Sequence, residues 1–465
     1  MTVRLYNSLS RTIEEFTPRQ DGHVQMFVCG PTVYDFIHLG NARTFTVFDV
    51  VARWLRYRGF DVTYIQNITD IDDRIIVRSA EHGQESTAYA RAFDDAFRDD
   101  MRSLGNDAVS RYARASDHIP EVIAQVKRLI ETGHVYRIDG DGWYFDLKTF
   151  PDYGKLSGRT AAEAEDAVSR IDDSSRKRNV GDFCVWKSSK PGEPQWDDAQ
   201  LGAGRPGWHI EDTAITEKYF GPQYDLHGGG MDLKFPHHEA EIAQQESASG
   251  KVPFVRYWMH AGFLENAAGK MSKSKGNITP LRTALQTYSP AAVRFFFLSN
   301  HYRAPLQMTD ASLDAAEAAT QRIAELAARS TAFQSSGKED SPILLTIRES
   351  HRAFEEAMDD DFNTPVALAA VFSLVTEANK AITDMHFGIE SQAALREFFT
   401  LVSEQLGIVP PTAEALPDDI RGLTDKRERA RSEKDWAGAD AIRDQLSALG
   451  YSVDDTPYGP LVKRK

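Results

Sequence analysis

A chain of 465 residues with 41% apolar residues, 26% charged residues and a formal charge of −15 has the composition of an ordinary multidomain globular protein. Only Cys29 and Cys184 are present, which excludes a disulfide framework and points to a reducing, cytoplasmic compartment. The N-terminus MTVRLYNSLSRTIEEF lacks an apolar signal core, no apolar run approaches the ~18 residues that span a bilayer, and the acidic balance leaves nucleic-acid binding to local basic patches.

In chain order, residues 24–28 read as a strand ending at Cys29-Gly30. After a proline turn, His38-Leu39-Gly40-Asn41 opens a helix with Phe45, Phe48, Ala52 and Leu55 at helical spacing. A strand, a glycine turn and a helix start together present unpaired backbone N–H groups to a phosphate. That helix stops at Gly59, and a second strand over 62–66 leads into Asn67-Ile68-Thr69-Asp70. Strand alternating with helix predicts a parallel, doubly wound sheet with ligands at the carboxyl ends of its strands. A polar helix covers 86–104, and Ile119, Val122, Val126, Leu129 and Ile130 mark another that Gly133 ends. Residues 135–138 and 143–147 flank Asp139-Gly140-Asp141-Gly142, a hairpin signal, whereas the polar stretch 149–200 reads as a loop-rich insertion rather than core. Sheet character returns at 224–227, which runs into Gly228-Gly229-Gly230, and at 255–263. The sheet is therefore split by an insertion of roughly a hundred residues, the size of a small domain. Beyond Thr309 the periodicity predicts helices over 310–333, 342–358, 364–385 and 391–406, with linkers at 334–342 and 409–419 and a compact charged unit at the end.

Three further stretches carry chemistry. Lys270-Met271-Ser272-Lys273-Ser274 is a cationic loop suited to charge developing on a leaving pyrophosphate, although such a run alone is most often a solvated lysine loop. His237 and Glu241 stand four apart, so on a helix they share a face and can hold a metal or form an ordinary acid–histidine pair. Residues 426–440, with Lys426, Arg427, Arg429, Arg431, Lys434 and Trp436, read as a locally basic helix with an aromatic.

The first histidine motif and the lysine loop, in this order, resemble the signature pair of the class I aminoacyl-tRNA synthetases. Within that class the chain resembles the cysteinyl-tRNA synthetase family over nearly its full length, through segments 29–43, 67–75, 204–211, 227–241, 258–262, 270–277, 358–365 and 434–443. The resemblance implies an α/β fold: a Rossmann-type parallel-sheet catalytic core split by an inserted connective domain and followed by an all-α C-terminal half. The halves of the core fall at 1–115 and 206–265, with the insertion contacting the tRNA acceptor at 116–205. A region around the lysine loop follows at 266–308, a helical bundle at 309–408 and an anticodon-binding domain at 409–465.

The implied activity is ATP-dependent attachment of L-cysteine to tRNA(Cys) through a cysteinyl-adenylate, with Mg²⁺ accompanying ATP, by a cytoplasmic, membrane-free monomer. By resemblance, His38, Gly40, Asn41, Gly230, Asp232, Lys270 and Lys273 address ATP, and His38, Asn41, Lys270 and Lys273 are catalytic. Asn41 stands where the usual signature has a second histidine and keeps a hydrogen-bond donor. Cys29, Thr69 and Trp208 are implied to bind cysteine, and Arg431, Trp436, Asp440 and Asp455 to read the anticodon. One Zn²⁺ is expected on Cys29, Asp212, His237 and Glu241. Asp212 replaces a cysteine of the family pattern; its carboxylate preserves the charge of the set but is a harder ligand. Cys184 lies in a different segment and reads as a small core residue. A paralogous ligase that joins cysteine to an amino-sugar lacks a full anticodon-binding region, whereas this chain continues to Lys465. A non-catalytic paralogue that has lost zinc would not be expected to keep His38 and the lysine loop.

Overall fold

A computed structural model describes residues 2–159, 175–266, 269–270, 279–333, 341–409, 417–456 and 459–464. They form two compact units: Met1–Thr287 with Asn300–Thr309 and Asp359–Phe362, and Tyr288–Ser299 with Asp310–Met358 and Asn363–Lys465.

The first unit begins with an antiparallel pair, β1 (Arg4–Asn7) and β2 (Thr12–Glu15). Next come β3 (His23–Val28), α1 (Leu39–Tyr57), β4 (Asp61–Ile68), α2 (Asp73–Glu81), α3 (Ser86–Leu104) and β5 (Arg111–Arg114). An insertion then carries α4 (Ile119–Glu131), β6 (Val135–Ile138), β7 (Gly142–Phe145), β8 (Phe183–Ser188) and β9 (Gly204–Pro206), its strands forming one antiparallel sheet in that order. The chain returns through α5 (Ile210–Phe220), β10 (Tyr224–Gly230), α6 (His237–Ser249) and β11 (Val255–Ala261). A small sheet of β12 (Leu264–Asn266), β13 (Gly269–Lys270) and β14 (Leu306–Gln307), with the short helix α7 (Leu281–Ala284), completes the unit.

The central sheet is parallel throughout, in the order β11-β10-β3-β4-β5. Val24, Met26, Phe27 and Val28 are all fully buried, as in a strand covered on both faces, with Gln25 the one polar residue among them. From β3 the chain winds to one side through β4 and β5 and to the other through β10 and β11. The direction reverses between β3 and β10, and the crevice above that reversal is where a doubly wound sheet binds ligands. Register sets the level: Val28 pairs with Gly228 on one side and Gln66 on the other, so Cys29, Gly229 and Asn67 emerge side by side.

Two expectations change here. The stretch 149–200 is not all loop, because β8 pairs with both β7 and β9 and buries Phe183, Cys184, Val185 and Trp186. A four-residue apolar run among polar neighbours is too short to show period, and its partners lie far along the chain. Residues 426–440 are two helices rather than one: Lys434 adopts φ of +62°, and the Asp435 side chain accepts from Gly438 N to start the second. Aspartate is a favoured N-cap residue, a signal that the basic composition obscured.

The second unit contains α8 (Pro290–Leu298), α9 (Asp310–Ala332), most of α10 (Ser341–Asp359), α11 (Thr364–Thr383) and α12 (Ile389–Leu406). It ends in α13 (Asp418–Ser432), α14 (Trp436–Ala448) and a hairpin of β15 (Tyr451–Thr456) and β16 (Gly459–Arg464). By length and composition alone α11 could cross a membrane, although polar residues such as Glu377, Asn379 and Lys380 interrupt its apolar run. Its Ala367, Leu368, Val371, Leu374 and Ala378 are buried in the core of the unit, so it reads as a core helix. Most of the two expected linkers, 334–340 and 410–416, lies outside the described residues.

Candidate active site and metal centre

At the end of β3, Cys29 N donates to Gly228 O at 3.0 Å, and Gly30 N donates to Asn67 Oδ1 at 2.5 Å. A Cβ added at Gly30 would lie 1.8 Å from the Asn67 carbonyl oxygen, so only glycine lets the ends of β3 and β4 approach this closely. Thr69, just beyond β4, is buried and donates its hydroxyl to Glu211 on α5.

The start of α1 departs from expectation. His38 Nδ1 accepts from Gly40 N at 3.1 Å and Asn41 N at 3.3 Å, while Leu39 N donates to Thr279 O and Ala42 N to His38 O. The first four N–H groups of the helix are therefore all engaged, and none is left for a phosphate. His38 is the N-cap, and any contact with phosphate here falls to side chains rather than the helix backbone.

Two other helix starts converge on Cys29. Asp212 stands in the first turn of α5, a favourable place for a carboxylate, and His237 is the first residue of α6. Cys29 Sγ lies 3.2 Å from Asp212 Oδ2 and 3.8 Å from Glu241 Oε1. His237 Nε2 lies 3.2 Å from Asp212 Oδ2 and 3.2 Å from Glu241 Oε1. Metal–ligand bonds of 2.0–2.3 Å in a tetrahedron require ligand separations of about 3.3–3.6 Å, close to these. His237 is oriented from behind, its Nδ1 2.6 Å from His209 Nδ1.

Electrostatically the cluster concentrates acidic groups away from solvent. All four residues are buried, and Asp212 Oδ1 and Glu241 Oε2 have no hydrogen-bond partner. Burial pushes the Cys29 thiol well above its usual range, and the nearby Glu241 and Asp212 charges push it further. Burial, followed by the charge of Asp212, likewise raises Glu241 and Glu211. A divalent cation among these groups would supply the missing charge and accept the orphaned oxygens, so the donor set fits zinc.

Three of the four, Cys29, Asp212 and His237, line a cavity of about 720 Å³. Cys29, Thr69, Trp208, Asp212 and His237 face into it, as do His38, Gly40, Asn41, Gly230 and Asp232. Glu241, 3.2 Å from His237, does not line it. The Trp208 ring lies 4.4 Å from that of His237, so the aromatic wall and the metal ligand touch. Lys270 is placed by its backbone pairing with Glu265, and Lys273 lies outside the described residues.

Several residues at the site had no signal of their own in the sequence. Arg74 is held by Asp72 (Nε–Oδ1 2.8 Å), and its guanidinium lies 4.9 Å from the Tyr34 ring and 5.9 Å from that of Trp208, making a second wall. His227 and His238 approach Cys29 Sγ to 3.3 and 3.2 Å. Their only hint was position, one at a glycine-rich strand end and the other beside His237.

In the second unit, the Arg431 guanidinium lies 5.7 Å from the ring of Trp436, which is 58% exposed, and Asp440 pairs with Arg443 at 3.2 Å. Asp455 belongs to β15, opposite Pro460.

The strand order and the switch-point cavity define the class I aminoacyl-tRNA synthetase fold. A solved structure of Mycobacterium tuberculosis methionyl-tRNA synthetase bound by methionyl-adenylate shares it at a TM-score of 0.63 and 16% identity, covering 90% of this chain and 96% of that one. The family model for "tRNA synthetases class I (C) catalytic domain" matches residues 15–318, "DALR domain" matches 353–409 and "Cysteinyl-tRNA ligase anticodon binding domain" matches 413–459. Cysteine–tRNA ligase of Heliobacterium modesticaldum is 44% identical over 486 residues, covering 100% of both chains, and that of Thermococcus onnurineus is 42% identical over 482 residues, covering 100% and 99%. The chain belongs to the cysteine–tRNA ligase family, enzymes that attach cysteine to tRNA.

Proposed function

We propose that this chain activates L-cysteine with ATP as cysteinyl-adenylate, passes the cysteinyl group to tRNA(Cys), and selects the substrate thiol with one zinc ion held by Cys29, Asp212, His237 and Glu241. The observation that carries the reading is one cavity lined both by Cys29, Asp212 and His237 and by His38, Asn41 and Asp232. Its size suits an amino acid and a nucleotide side by side.

When bound, zinc supplies a coordination position that takes a thiolate in preference to a hydroxyl. A hydrophobic pocket separates cysteine from serine by only ~1–3 kcal/mol, so coordination makes an editing site unnecessary. Trp208 walls the amino-acid end, and Thr69, fixed by Glu211, offers a polar neighbour to the substrate. Gly230 permits close approach of the nucleotide, and Asp232 accepts from the ribose hydroxyls. The ring of His38 is pinned by its capping bonds and, with Asn41, addresses the phosphates while the cysteine carboxylate attacks the α-phosphate. Lys270 and Lys273 stabilise the charge on the departing pyrophosphate, which leaves with Mg²⁺. The terminal ribose of the tRNA then takes the cysteinyl group, while 116–205 contacts the acceptor and Arg431, Trp436, Asp440 and Asp455 contact the anticodon. The active species is a monomer.

Cysteine-dependent ATP–pyrophosphate exchange with serine as control, then charging of tRNA(Cys), tests the activity. Exchange equal with serine, or exchange without charging, overturns it. Metal analysis tests the zinc: under half an equivalent in fully active protein removes zinc from the reading. Lys273→Ala should lower exchange severely with little change in cysteine affinity.

A further inference from the structure

We propose that Cys29 and Glu241 serve two overlapping metal positions, and that the second, completed by His227 and His238, is a closed site behind the cavity. It rests on the zinc reading above for the two shared ligands and goes beyond it in assigning the histidines.

One ligand atom from each of Cys29, His227, His238 and Glu241 lies within 4.8 Å of every other, and all four residues are buried. Sγ stands 3.3 Å from His227 Nε2 and 3.2 Å from His238 Nε2, again near the edge lengths of a tetrahedral site. Glu241 belongs to both groups of ligand atoms, its Oε1 lying 3.8 Å from Cys29 Sγ. Its Oε1 is 3.2 Å from His237 Nε2, while Oε2, which has no hydrogen-bond partner, is 3.6 Å from His227 Nδ1.

Both histidines are held as metal ligands are held, by a partner on the other ring nitrogen. His238 Nδ1 lies 2.9 Å from His260 Nε2, whose Nδ1 lies 2.8 Å from Ser8 Oγ, and His227 Nδ1 lies 2.6 Å from Tyr224 Oη. Packing locks the rings: His227 stacks on Trp258 at 4.3 Å, and a Cβ on Gly229 would come within 2.8 Å of His238 Cε1.

Charge distinguishes the positions. Cys29 thiolate and Glu241 carboxylate balance a divalent ion, and the two imidazoles add no charge. The position facing the cavity adds the Asp212 carboxylate and carries a net negative charge, which costs more to bury. Cys29, Asp212 and His237 line the cavity, whereas His227, His238 and Glu241 do not. An ion among the histidines is therefore retained without Asp212 and has no face toward a substrate thiol.

The test is an anomalous-difference map at the zinc edge from crystals of the zinc-loaded full chain without cysteine, for the wild type and for Asp212→Ala. A peak among Cys29, His227, His238 and Glu241 in either protein supports the proposal. Zinc bound only beside Asp212 and His237 in the wild type, with none in Asp212→Ala, overturns it and leaves the reading of the cavity-facing zinc intact. Absence of zinc from both positions in both proteins overturns both. In solution, X-ray absorption fine structure should count two imidazoles per zinc in Asp212→Ala, and adding His238→Gln should raise the chelator-competed zinc dissociation constant at least tenfold; one imidazole and no change overturn the proposal. Should Asp212→Ala not fold, Asp212→Asn takes its place in every arm.

Discussion

Around Cys29 the functional groups are buried against one another, whereas around Trp436 they stand in solvent, with Trp436 58% exposed and Asp440 paired on the surface with Arg443. On the function proposed above, the first region has to discriminate a thiol from a hydroxyl and needs a site removed from water, where each charge interacts strongly. The second belongs to a segment matched by an anticodon-binding family, and stacking on a nucleic-acid base requires an exposed face. Substitutions at the buried end should therefore alter chemistry, metal and stability together, while those at the exposed end should act on tRNA alone and nearly independently.

The largest effect is expected at the thiol. Cys29→Ala should bring zinc below half an equivalent and lower cysteine-dependent exchange about a thousandfold, roughly 4 kcal/mol of transition-state stabilisation. Unchanged zinc by metal analysis would separate this residue from the cluster. Gly30→Ala comes next, because its Cβ would collide with the Asn67 backbone at 1.8 Å. Thermal unfolding should show a loss of about 3 kcal/mol or more, and a stable variant would mean that β3 and β4 can part without consequence.

Removing zinc should make stability depend on pH. Burial and then Asp212 raise Glu241 and Glu211 in the fold above their usual 4.5, so the metal-free fold favours their protonated forms. The stability these groups contribute is fully present below about pH 4.5 and is lost as pH rises through the folded values. The melting-temperature gap between zinc-loaded and stripped protein should accordingly widen from pH 5 to pH 8; a constant gap would show that these carboxylates are not what zinc compensates. Smaller still, Trp436→Ala should raise the KM for tRNA(Cys) about tenfold, as the loss of ~1–3 kcal/mol of stacking implies, with tRNA-independent exchange within twofold of the wild type. Asp440→Ala should change that KM about fivefold at most, since exposed pairs contribute ~0–1 kcal/mol. An effect on exchange from either would break the division between buried and exposed regions.

What local pattern can encode was readable. The turn after residues 24–28, the start of α1 at His38, the helix 86–104 and the same-face pair His237 and Glu241 follow from period, glycine placement and capping chemistry within a dozen residues. The resemblance supplied Cys29 and Asp212 as partners, which no local rule could do across 183 positions. Strand β8 escaped notice because its apolar run is short and its stability comes from β7 and β9.

The sequence by itself determined the longer helices, the central strands and the chemical inventory, because backbone preference and side-chain period act over one or two turns. Only the tertiary structure decided that the N–H groups of α1 are consumed by His38, Thr279 and the helix itself, and that His227 and His238 crowd the thiol as closely as Asp212 does. Those contacts depend on the order β10-β3-β4 and the register that levels Val28 with Gly228 and Gln66. Strand order is chosen by the burial of whole faces, a property of the assembled core that no short stretch of chain contains.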